Sequence, residues 1–229
     1  MISIIIPVFN EEDQIRDLVT YLKKYSTHEQ TEIIVVDGGS TDKTVEKSKA
    51  AGARVVQSPN KGRAHQMNYG VGQATGKWLY FLHADTYPPK TFIKDIREEI
   101  ERGIQAGCFR LSFDYDHPVL NFYSWFTRFD IDLFRFGDQS LFVQKNLFNK
   151  INGFDADLLV MEDQKIVKEL KKHAQFSIIE KSVITSARKY RRFGVFRLQL
   201  IFCIVIVLFY LKISQEVIVN FYENFLRDV

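Results

Sequence analysis

The residues best suited to chemistry lie at the ends of apolar runs. Ile2–Val8 closes on Pro7 and is followed by Asn10, Glu11 and Glu12. Ile33–Val36 ends in Asp37-Gly38-Gly39-Ser40-Thr41-Asp42, and Trp78–Leu82 ends in His83-Ala84-Asp85. In open α/β sheets, ligands bind outside the carboxyl ends of the strands. Three polar clusters at such ends converge on one edge if the strands are parallel, and convergence is harder to explain by helix capping than any single acid. An acid ending a second strand is the usual partner of a ribose hydroxyl or a base edge, because it accepts from O–H and N–H groups. Further on, Glu162 and Asp163 open a helical pattern, where composition alone makes them complements of the helix dipole. Ser186–Phe193 carries Arg188, Lys189, Arg191 and Arg192, a pattern that fits a solvated face or a membrane-facing anchor.

The elements that must position these residues follow from periodicity. Strands are expected at 2–8, 33–36, 55–56 and 78–82. Helices are expected at 13–25, at 43–51 capped by Asp42 or Thr41, at 61–73, and from Pro88-Pro89 to about residue 102. This alternation predicts a doubly wound, mostly parallel sheet flanked by helices. No dinucleotide fingerprint follows the first strand, where Pro-Val-Phe-Asn stands, and Gly70, Gly72 and Gly76 read as helix-end and turn glycines. In the second half, 107–113 alternates as a strand. Residues 120–136 form an aromatic stretch, read as a helix packed on the sheet or as an acceptor wall. Residues 137–143 return to strand character, Asn152-Gly153 is a turn, and a helix runs from 161 to about 172.

The chain has 229 residues, 46% hydrophobic and 26% charged, which is globular rather than disordered composition. A net charge of +3 gives no general case for nucleic acid. Cys108 and Cys203 stand in no metal or redox spacing and are expected reduced and buried. Met1 leads straight into Ile2, with no signal-peptide pattern. The apolar run 198–211 would span roughly 21 Å as a helix, short of a bilayer core of about 30 Å. With the amphipathic stretch behind it, it reads as a helical hairpin that docks on the sheet, forms a homodimer, or lies in the membrane surface.

Taken together, Ile5-Ile6-Pro7-Val8-Phe9-Asn10-Glu11-Glu12, Val35-Val36-Asp37-Gly38-Gly39-Ser40-Thr41-Asp42, His83-Ala84-Asp85-Thr86 and Met161-Glu162-Asp163-Gln164 resemble the family 2 glycosyltransferases of GT-A fold, over residues 2 to about 193. The resemblance implies a domain over 1–192, with a nucleotide-binding half (1–105) and an acceptor half (106–192), followed by hydrophobic helices over 193–229. It implies that Pro7, Val8, Asn10 and Glu11 line base and ribose, that Asp37 faces the base beside Ser40, and that Arg63 approaches base or phosphates. His83, Ala84 and Asp85 replace the family's Asp-x-Asp. Asp85 keeps the metal-contacting acid, for Mn2+ or Mg2+, while His83 is a plain hydrogen-bonding residue or a ligand. Asp138 and Gln139 fall in the acceptor and sugar region. Asp163 matches the base that takes the acceptor proton, with Glu162 orienting the site, and Arg188 and Arg192 would contact phosphate. Lys189 stands where polymerising relatives have glutamine, which speaks for single-sugar transfer. The implied enzyme moves a sugar from a UDP- or GDP-sugar to an acceptor hydroxyl with inversion. It works in the cytoplasm at the inner face of the cell membrane, on acceptors that include lipid-linked ones. A nucleotidyltransferase, or a non-catalytic sugar-nucleotide-binding protein at a membrane, are the rival classes.

Overall fold

The structure, a computed structural model, describes every residue except His28, Phe136, Asp228 and Val229, and the side chains up to Phe225. The first half alternates β1 (Ile2–Val8), α1 (Ile15–Ser26), β2 (Thr31–Asp37), α2 (Thr44–Ala50), β3 (Arg54–Gln57), α3 (Arg63–Gln73) and β4 (Trp78–Phe81). The two-residue β5 (Thr86–Tyr87), α4 (Phe92–Glu101), β6 (Ala106–Phe113), α5 (Pro118–Trp125), β7 (Leu141–Gln144) and α6 (Lys145–Lys150) follow. The chain continues with α7 (Glu162–His173), β8 (Phe176–Thr185), α8 (Arg188–Phe193), α9 (Val195–Tyr210) and α10 (Gln215–Arg227).

All eight strands join one sheet in the order β3-β2-β1-β4-β7-β6-β8-β5. The β3-β2-β1-β4 portion is wholly parallel, and β6 pairs β8 in parallel, whereas β7 runs antiparallel to both its neighbours and β5 to β8. Every residue of β1 is buried, as a strand covered on both faces requires. Ile4, Ile6 and Val8 pack with α1 and α4 residues such as Leu18 and Ile96. Ile5 packs on the opposite face with Met67 of α3 and Ile166 of α7. Each such isoleucine contributes about 1.5–3 kcal/mol by leaving water. Gly70 lies inside α3, not at its end, and a Cβ there would meet Ile5 Cγ2 at 2.6 Å and Val36 Cγ2 at 2.9 Å. The glycine lets the helix sit directly on the strands. Gly72 is the penultimate residue of α3, at the helix end as expected.

Several sequence expectations change. The helix after Pro88-Pro89 begins only at Phe92. The aromatic stretch is not one helix: α5 ends at Trp125, and 3-10 turns follow at Phe126–Arg128 and Asp132–Phe134. Arg135, 1% exposed, fills the gap behind these turns and donates from Nη2 to the Thr127 carbonyl at 2.8 Å and to the Phe129 carbonyl. Residues 137–139 form another 3-10 turn, so the strand begins at Leu141. Periodicity missed β5 and β8 because both are defined by pairing partners far away in sequence. Cys203 is exposed on α9, while Cys108 is buried as expected.

Candidate active site

Register explains why the polar clusters meet. Val8 is level with Asp37 across β1 and β2, and Ile5 is level with Phe81 across β1 and β4. The segments Pro7–Glu11, Asp37–Ser40 and His83–Asp85 therefore leave the sheet side by side. Gln66 of α3, 4% exposed, fastens two of the tips: its Nε2 donates to the carbonyls of Val8 and Val36, each at 2.8 Å. This residue carries no signal that periodicity can read.

The tips of β1 and β2 are hydrogen-bonded to one another. Asp37 turns its carboxylate back on its own loop, accepting from the backbone N–H groups of Gly39 at 3.0 Å and Ser40 at 3.2 Å. Asn10, with φ of 54°, accepts from Thr41 N–H at 2.9 Å while its own N–H donates to Ser40 Oγ at 2.9 Å. Glu11 N–H donates to Thr44 Oγ1 at 2.8 Å. Asp42 accepts from Thr44 N–H at 2.9 Å just ahead of α2, but the N-cap position is Lys43, so neither Asp42 nor Thr41 is the expected cap.

The Glu11 carboxylate is held by Arg188, which donates to both oxygens at 2.8 and 2.6 Å. The same guanidinium lies 3.3 Å from Asp85 Oδ2. Burial, then the charges of Asp138 and Glu11, push the Asp85 carboxyl above its ordinary range, while His83 and Arg188 oppose. His83 Nδ1 lies 3.0 Å from Asp138 Oδ1. Burial works most strongly against a charged His83 ring, but the Asp138 hydrogen bond together with the charges of Asp138 and Asp163 leaves the imidazole shifted upward.

On the far side, α7 starts from Met161 in the left-handed conformation, φ 68°. Glu162, 1% exposed, is ion-paired with Arg63 Nε at 2.8 Å. Its carboxyl is pushed up to about 7, by burial first and then by the negative charge of Asp163, against the pull of Arg63. Asp163 and His83 meet across Gly137: a Cβ there would lie 2.6 Å from Asp163 Cγ and 2.8 Å from His83 Cε1. The loop before α7 is tied to the C-terminal helices, since Gln215 Oε1 accepts from the N–H groups of Leu159 at 3.0 Å and Val160 at 3.1 Å. Val160 and Met161 also pack on Ile201, Val205 and Ile218 of the hairpin formed by α9 and α10.

The structure thus gathers Glu11, Arg63, His83, Asp85, Asp138, Glu162, Asp163 and Arg188 into linked charge contacts. Pro7, Val8, Asn10, Asp37, Ser40 and Ala84 lie in the adjoining strand tips. Gln139 is buried next to Asp138 and donates to the Phe109 carbonyl at 3.3 Å. Arg192 is exposed, with its guanidinium 5.0 Å from the Phe193 ring centre. Gln66, Gly137 and Gln215 are residues that sequence reasoning missed here.

Among the described residues, no three His, Cys, Asp or Glu side chains are grouped so as to hold a metal by themselves. The donor set still fits a hard cation bound through a single protein carboxylate, with other oxygens supplied by ligand and water. Asp85 is the acid at the end of the β4 loop that stands nearest such a role, half-buried, with Arg188 3.3 Å away and with Asp138 and Glu11 adding negative charge around it.

The glycosyl transferase family 2 model matches residues 3–151, more than half the chain. The glycosyltransferase GlyG of Streptococcus pneumoniae is 27% identical over 187 residues, 77% of this chain and 60% of that protein. S. aureus TarS 1–349, solved with UDP-GlcNAc, superposes with a TM-score of 0.63 at 22% identity, over 81% of this chain and 58% of that one. The mannosyltransferase PcManGT of Pyrobaculum calidifontis, solved with GDP-Man and Mn2+, superposes with a TM-score of 0.70 at 16% identity, over 89% of this chain and 61% of that one. The chain thus spans about 60% of the length of these relatives. By its sheet, its helices and its matched family model, this GT-A chain belongs to glycosyl transferase family 2.

Proposed function

We propose that the chain transfers a sugar from a nucleoside-diphosphate donor to an acceptor hydroxyl with inversion. The observation that carries this reading is the meeting of Asp163 with the loop after β4 across Gly137. An acid that must deprotonate an acceptor has to stand beside the donor end of the sheet, and α7 brings it there. UDP- and GDP-linked sugars in the two superposed proteins support the donor class.

In this reading the loops after β1 and β2 hold base and ribose. Pro7, Val8 and Asn10 line them, and Asp37 and Ser40 fix the β2 loop through their shared hydrogen bonds. Asp85 holds a divalent cation, Mn2+ or Mg2+, which when bound neutralises charge developing on the departing diphosphate. Arg188 exchanges its grip on Glu11 and Asp85 for phosphate oxygens, which a guanidinium binds in the same forked way. Arg192 joins it if α8 shifts toward the cleft. Asp138 and Gln139 border the sugar, with His83 oriented by Asp138 through the 3.0 Å contact. Asp163 accepts the proton of the acceptor hydroxyl as the new bond forms on the face opposite the leaving diphosphate. Glu162, held by Arg63, keeps the first turn of α7 in place. The exposed aromatic helices favour an acceptor carried on lipid at the cytoplasmic membrane face.

Asp163→Asn tests the base. Transfer should fall by about 10²–10⁴-fold, with donor affinity nearly unchanged by calorimetry. Turnover near the parent level would remove Asp163 from this role.

A further inference from the structure

From the exposed side chains we infer that the face formed by α5 and α9 lies on the surface of an anionic lipid bilayer. The inner side of α9 is used up by packing, through Val195, Leu198, Ile201 and Val205. Its outer side is just as apolar. Phe196 is 73% exposed, Leu200 63%, Val207 56% and Leu211 67%, spaced as one stripe along the helix. A surface helix of a water-soluble domain normally turns a polar face outward.

The stripe is continuous with a second apolar region. A groove of about 500 Å3 separates α5 from α9, with Phe122 and Tyr123 on one wall and Phe196 and Leu200 on the other. From Phe122, 61% exposed, ring contacts run on to Phe126 at 5.0 Å, Trp125 at 5.2 Å from Phe126, and Phe129 at 4.8 Å from Trp125. An apolar surface of this extent marks a partner or a membrane.

Charge selects the membrane. Exposed basic residues adjoin the apolar face: Arg128 on Trp125, Arg197 next to Phe196 and Lys212 next to Leu211. Arg128 stacks on Trp125 with its guanidinium 4.7 Å from the ring centre, an apolar stem and ring ending in a charge. Anionic headgroups complement this border, whereas a two-fold contact between copies would set like charges against one another. Depth is limited by length. The 16 residues of α9 span about 24 Å, short of the roughly 30 Å hydrocarbon core. No helix among the described residues is long and apolar enough to cross a membrane. The helix therefore lies in the interface plane, its outer stripe in the acyl boundary and its arginines at headgroup level.

The test is sedimentation of the full chain with phosphatidylcholine vesicles, with and without phosphatidylglycerol, and without nucleotide. The expected result is binding that depends on the anionic lipid and weakens at high salt, where charge is screened within a few ångströms. Phe196→Ser with Leu200→Ser should weaken binding about tenfold or more. Phe122→Ser on α5 provides an independent variant, and thermal melting checks that each is folded. Arg128→Glu with Arg197→Glu should abolish the preference for anionic vesicles. Absence of vesicle binding, or binding untouched by the serine variants, would overturn the proposal. So would concentration-dependent dimers dispersed by the same serine changes, which would assign the face to a second copy. No readout involves sugar transfer, so failure here leaves the proposed reaction standing.

Discussion

The two halves of the sheet present their polar residues in different ways. In the β1–β2 half, Asn10, Asp37, Ser40 and Thr41 bond to each other and to backbone, over 2.9–3.2 Å, in a closed set. In the other half, acids are balanced by cations that arrive from far along the chain: Arg63 pairs with Glu162 at 2.8 Å, and Arg188 lies 3.3 Å from Asp85. A closed network of side-chain and backbone bonds is rigid and shaped before any ligand arrives. A cluster of exchangeable ion pairs can trade a protein partner for a ligand of like charge. The first half is therefore suited to recognition and the second to charge that changes during a reaction.

The largest effect that would sharpen this contrast, after Asp163→Asn, is expected at Gly137. An added Cβ meets Asp163 and His83 at once. Gly137→Ala should lower turnover roughly 10²-fold, as a displacement of about 1 Å does elsewhere, with melting little changed. Equal turnover would show that the carboxylate is not held by this contact.

A smaller effect is expected at the clamp. Arg188→Ala leaves Glu11 and Asp85 facing each other without their shared cation. Nucleoside-diphosphate affinity should drop about tenfold, a charge-assisted bond being worth about 1.5–3 kcal/mol. The loss should shrink with added Mn2+, whose charge replaces part of the guanidinium's. Unchanged affinity would show that the clamp is structural, like the network opposite.

The smallest concerns pH. Glu162 has its carboxyl raised from 4.5 to about 7 by burial and Asp163. The folded chain then holds this proton more tightly than the unfolded one, so its contribution to stability is full below about 4.5 and is lost as pH rises through about 7. Glu162→Gln should flatten that decline, and the variant should gain a few degrees in Tm over the parent at pH 8 relative to pH 5. Parallel melting profiles for the two proteins would place the carboxylate in a better-solvated setting.

Much of the first hundred residues was legible because its signals are local. Ile2–Val8 and Trp78–Leu82 are short, apolar and bounded by turn residues, so burial on both faces could be read directly. Asp42 before Thr44 announced a helix start by the hydrogen bonds short polar side chains make. The stretch 120–136 misled because aromatic content is the same for a continuous helix and for turns folded around a buried arginine. Arg135 carries no mark of burial in the sequence. Asp85, Glu162 and Asp163 were recognisable as candidates from motif order, but their partners were not. Arg63 and Glu162 stand nearly one hundred residues apart, and nothing between them encodes that α3 and α7 cover the same face.

By itself the sequence determined the alternation of strands and helices to β4, the acids at the strand tips and the family pattern. Those depend on side-chain period, capping and residue type, all set within a few neighbours. Only the tertiary structure decided the mixed order of the second half, the Arg188 clamp, the place of Gly137 between Asp163 and His83, and the outward apolar stripe of α9. Each is a meeting of surfaces distant in sequence, and such meetings are chosen by packing of the whole chain.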